Sequence, residues 1–152
     1  MWQTLLIAIL SSAFFSDLAA RPAKYVPDPV SGYAIGGHDP VAYFVDNRPL
    51  KGDRKYVYRW SGVDWTFVNQ GNMAAFEKAP LVYAPYFAGC GAYALAEGYA
   101  TAGNPFIFAI IDQKLFFFHS YVNRFLFVVN AQQLFEDAKQ NGPKVDCKPN
   151  LF

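Results

Sequence analysis

Apolar and polar positions along the chain change period several times. Met1 to Ala20 opens with an apolar run from Thr4 to Phe15, about a dozen residues, and ends in Ala19-Ala20 before Arg21. Such a run is too short for a bilayer that needs about 20 apolar residues, and it has the shape of a secretory leader. Residues 21–31 carry three prolines and read as an extended arm. Val41 to Val45 is a short apolar run after the turn initiator Asp39-Pro40, and reads as an edge strand. Tyr56 to Trp60 and Val63 to Val68 are rich in β-formers and flank Ser61-Gly62, which predicts a hairpin. Asn69 is placed to cap a helix over 70–78, ended by Pro80.

The chain shows no internal repeat, no low-complexity tract and no second domain. Pro105 to Ile111 and Lys114 to His119 predict a second hairpin across Asp112-Gln113. Ser120 is placed to cap a helix over 121–127, and Asn130 to cap another from 131 to about 141, with apolar residues at 131, 134, 135 and 138. Between the halves, Leu81 to Gly98 reads as an aromatic turn running into a short helix. Pro85 biases Ala84 away from the helical region, Gly89 and Gly91 flank Cys90, Ala92 to Ala96 favour helix, and Gly98 ends it. The expected architecture is α+β: a small antiparallel sheet of two hairpins plus an edge strand, with short helices packed on it. The divisions are a leader at 1–20, an arm at 21–31, one domain at 32–143 and a tail at 144–152.

Composition narrows the function classes. A formal charge of +1 with 16% charged residues gives no basic face for nucleic acid. No stable membrane insertion is expected once the leader is cut, and no protein partner is specified. A cleaved leader implies a periplasmic or secreted protein and an oxidising compartment. Cys90 and Cys147, the two cysteines of the chain, then allow one disulfide with a single connectivity, worth about 4 kcal/mol in the chain-entropy model. The alternative keeps Cys90 as packing or as a free thiol.

Groups that could carry chemistry are few: His38, Asp39, Cys90 and His119, with Tyr43, Tyr83 and Tyr86 beside them. No nucleophile elbow, phosphate-cradling loop, dinucleotide fingerprint or CxxC occurs, so the expectation is a protein without catalytic residues. One thiolate and two imidazoles suit copper or zinc, which makes Cys90, His119 and His38 the candidate metal ligands.

Four blocks carry a resemblance: GYAIGGHDPVAYF (Gly32 to Phe44), YRWSGVDWTFVNQGNMAAFEKAP (Tyr58 to Pro80), YAPYFAGCGAYALAEG (Tyr83 to Gly98) and KLFFFHS (Lys114 to Ser120). In this order they resemble YHS-domain proteins, and most of all their exported stand-alone bacterial branch. The resemblance spans about residues 32 to 143. It implies a small α+β domain with a role in binding a soft heavy metal such as copper or zinc. In the family's central block the reactive thiol stands just before an alanine; here Gly91 holds that place and Cys90 falls one position earlier. The competing reading is a non-metal envelope module that binds or supports through its aromatic residues, with Cys90 serving packing or a disulfide. A redox enzyme using Cys90 as nucleophile is the third reading.

Overall fold

The computed structural model describes residue 25 and residues 27–145; the expected leader, most of the tail and Cys147 lie outside the described residues. The architecture is α+β, with two antiparallel two-stranded sheets and several short helices. Among the described residues no helix is long and apolar enough to cross a membrane.

One order of elements runs through the chain twice. The first pass has a turn at Ala34–Gly37, helix α1 (Ala42–Val45), strands β1 (Asp53–Trp60) and β2 (Val63–Phe67), then helices α2 (Gln70–Lys78) and α3 (Pro80–Tyr83). The second has a turn at Tyr86–Gly89, α4 (Ala92–Ala96), β3 (Asn104–Ile111), β4 (Lys114–Phe118), α5 (Tyr121–Val129) and α6 (Ala131–Asn141). Asp53 stands against Asn104, Val63 against Lys114, Gln70 against Tyr121 and Pro80 against Ala131, each 51 residues on. The sequence carries no internal repeat, yet the order of elements repeats: turn, helix, hairpin, helices.

The detail of the two units agrees. Three consecutive residues turn left-handed in each opening turn: Ile35, Gly36 and Gly37 at φ 45, 65 and 74°, and Phe87, Ala88 and Gly89 at φ 57, 56 and 87°. Gly52 donates its N–H to Gly37 O, and Gly103 donates to Gly89 O, both at 3.0 Å. Each hairpin shifts register once, between Asp53 and Val57 and between Asn104 and Phe108. Each turns on two positive-φ residues, Ser61-Gly62 and Asp112-Gln113, the geometry that matches strand twist. Asn69 Oδ1 caps α2 by accepting from Asn72 N–H at 2.8 Å, and Ser120 Oγ caps α5 by accepting from Asn123 N–H at 3.1 Å. Phe76 and Phe127 are the fully buried anchors of those two helices.

Two local expectations change. Ala42–Val45 forms α1, with Val41 just before it, where an edge strand over Val41 to Val45 is expected. Asp39 Oδ1 accepts from Val41 N–H at 2.8 Å and from Ala42 N–H at 3.3 Å, so the Asp-Pro pair starts a helix where the apolar run alone suggests a strand. Pro80 ends α2 but also opens α3, at a position where its missing N–H costs nothing. Ala84 and Pro85 then run extended, as expected, and Gly98 follows α4 at φ 83°. The arm is not extended throughout. Asp28 and Tyr33 close a turn, and Tyr25 packs against Trp60 and Trp65.

Each unit has its own core: Trp65, Phe67 and Phe76 in the first, Phe116, Phe118 and Phe127 in the second. A third cluster joins them. Tyr43 of α1 packs on Leu115 and Phe117 of β4 and donates its hydroxyl to Pro105 O at 2.9 Å. Burial and the nearby Asp39 charge push the Tyr43 phenol far above its ordinary pKa, so it stays a neutral donor. Tyr25 makes a second tie by donating to Pro85 O at 2.9 Å.

Candidate functional site

A cleft of about 510 Å³ lies where the two units meet, bounded by both left-handed turns. Ile35 and Gly36 come from the first, Ala88 and Gly89 from the second, and Phe106 and Phe117 complete the apolar wall. Ile35 is β-branched, and Phe87 and Ala88 also hold a conformation that residues with a Cβ rarely adopt. Such strain persists only where the surroundings enforce it, and it gathers at binding sites. The second unit can close on the cleft because Gly103 leaves no room for a side chain; a Cβ there would meet Gly89 O and the Cβ of Phe117.

His38 follows the first turn and is buried to 8% exposure. Its Nδ1 lies 3.0 Å from Ile35 O, and a carbonyl only accepts, so Nδ1 carries the proton. The ring meets Phe106 edge-on, with centroids 5.0 Å apart and planes at 82°. Burial depresses the imidazole pKa below its ordinary value, and the charge of Lys51 adds to this. The hydrogen bond to Ile35 and the charge of Asp28 oppose it without reversing it. At neutral pH the ring is therefore uncharged, with Nε2 an acceptor. Lys51 pairs with His38 in an antiparallel bridge and donates Nζ–H to Gly36 O, bracing the same turn. Asp28, also on the cleft, accepts from Ser31 N–H at 2.7 Å and Val30 N–H at 3.1 Å. Burial pushes its carboxyl up, but those bonds and the Lys51 charge outweigh it and hold the pKa below the usual carboxylate range.

The candidate residues from the sequence divide. His38 and His119 line the same cleft although 81 positions separate them; His119 sits exposed just beyond β4. Cys90 does not join them. It is disulfide-bonded, 1% exposed, and packed with Leu95, Ala96 and Ala138 on α4 and α6. A disulfide sulfur has no thiolate to give a metal, so in this state Cys90 stands as the packing-or-disulfide alternative has it. The only other cysteine in the sequence is Cys147, outside the described residues. Among the described residues no three His, Cys, Asp or Glu side chains converge in a metal-binding group.

Asp39 is a structural hub rather than a reactive group. It is fully buried; besides starting α1, its Oδ2 accepts from Val68 N–H at 2.9 Å and from Asn72 Nδ2 at 2.7 Å. Lys51, Phe106 and Asp28 have no signal in the sequence, because the turn and the register shift that bring them to His38 appear only on folding.

No family model, curated protein or solved structure matches the chain.

Proposed function

We infer that the chain is an exported binding module, without catalytic residues, whose ligand is a small, largely apolar molecule held in the cleft between its two units. The observation that carries this reading is a neutral, buried His38 imidazole on the lining of an apolar-walled cleft, with its proton committed to Ile35 O. Nε2 in that tautomer accepts, so the ligand should present one donor, such as a hydroxyl or an amide N–H, on an apolar body. The first turn, braced by Lys51 on Gly36 O, supports a pre-formed site. The disulfide at Cys90 supports export, since such bonds persist in oxidising compartments.

The soft-metal reading implied by the YHS resemblance stands second. In its favour, His38 and His119 share one cleft; against it, the thiolate it needs is tied up. A matched-pair titration separates the two, following backbone amide shifts by NMR with 2-naphthol, naphthalene and zinc chloride. Shifts at residues 34–38, 103–106 and 117–119, with 2-naphthol several-fold tighter than naphthalene, are expected from one added hydrogen bond of about 1 kcal/mol. Submicromolar zinc affinity lost in His119→Ala would favour the metal reading instead.

A further inference from the structure

The helix after the second hairpin presents an apolar face that the fold itself does not require. Tyr121, Val122, Phe125 and Val129 of α5 are each exposed by 64–66%, and Val128 and Leu126 extend the strip. The repeated order of elements supplies an internal control. At the matching positions of α2 stand Gln70, Gly71, Ala74, Glu77 and Lys78, against Tyr121, Val122, Phe125, Val128 and Val129 in α5. Both helices begin on a side-chain cap, follow a hairpin and anchor through one buried phenylalanine. The first unit thus folds with a polar outer face on this helix, and the second carries an apolar one.

We propose that the α5 face is the contact surface of a symmetric dimer, covered by α5 of a second copy of this chain. These six residues, 37–66% exposed, leave on the order of 600 Å² uncovered, the lower end of what each partner of a standard interface buries. A strip that is apolar along its length is self-complementary across a two-fold axis. The one charged residue of α5, Arg124, is turned back along the protein, with Nη1 3.4 Å from Phe108 O and the guanidinium over the Tyr121 ring. A lipid surface would be held better by a helix rimmed with several lysines and arginines, and α5 supplies only this one, already engaged.

Sedimentation velocity and light scattering on the purified full chain test this. The expected result is a dimer at micromolar concentration. Replacing the α5 residues with those of α2, as Phe125→Ala with Val128→Glu and Val129→Lys, should raise the dimer dissociation constant by about 100-fold or more, without lowering the monomer's helix content. If that triple variant fails to fold, Val128→Glu alone should still weaken the dimer. A chain monomeric up to about 1 mM, or variants as dimeric as the wild type, would overturn the proposal. So would a monomer that co-sediments with phosphatidylcholine–phosphatidylserine vesicles, or one whose α5 amides are protected by residues 1–24.

Discussion

Asp39 links three parts of the first unit through one carboxylate. One oxygen starts α1, and the other holds the end of the first hairpin at Val68 and the α2 side chain of Asn72. Asp39→Ala removes the helix start and leaves buried donors without acceptors. It should destabilise the protein by about 3–5 kcal/mol, measurable by urea unfolding. Asp39→Asn, which keeps one acceptor oxygen, should cost less. The sequence reveals half of this role: Asp-Pro before an apolar run marks a turn or a helix start. The other half depends on residues 29 and 33 positions away, which no local pattern connects. His38 is similar. Its place after two glycines is readable, but the proton on Nδ1 follows from an Ile35 carbonyl that only a left-handed turn brings within 3.0 Å.

Hairpins and capped helices are the elements most readable from sequence, because turn pairs, alternating residues and side-chain caps are local. Val41 to Val45 misleads because a five-residue apolar run has no period of its own, and the cap before it decides the matter. The left-handed turns escape sequence reasoning for another reason: Ile35, Phe87 and Ala88 are not residues that favour positive φ. Two glycines distinguish the ways an element can fail. Gly103→Ala would drive a Cβ into Phe117 and the Gly89 carbonyl, whereas Gly62→Ala enters open space and strains only a backbone at φ 84°. Thermal unfolding should give a loss of about 3 kcal/mol or more for Gly103→Ala against about 1 kcal/mol for Gly62→Ala.

At the scale of the molecule, the fold class is plain from the order of strands and helices, while the repetition of that order is hidden. What the units share at positions 51 apart is sparse: Gly52 with Gly103, Phe67 with Phe118, Asn72 with Asn123, and Phe76 with Phe127. These are the close approach under each turn, two core rings and the helix position that each cap satisfies. Elsewhere the pairs differ, as Trp65 against Phe116 and Asp64 against Leu115 do. The cleft depends on both units, since its walls are the two opening turns and its polar groups come from both.

The most direct test of the cleft as binding site is the pH dependence of 2-naphthol affinity, measured for wild type and His38→Phe. Burial holds the His38 pKa below its ordinary value of about 6.5, so its acceptor nitrogen is present throughout the neutral range. Affinity should be level from about pH 8 to neutrality, then fall as pH drops through the depressed pKa and Nε2 gains a proton. His38→Phe should bind several-fold more weakly at neutral pH and lose that dependence. An unchanged affinity and an unchanged pH profile in His38→Phe would contradict the account.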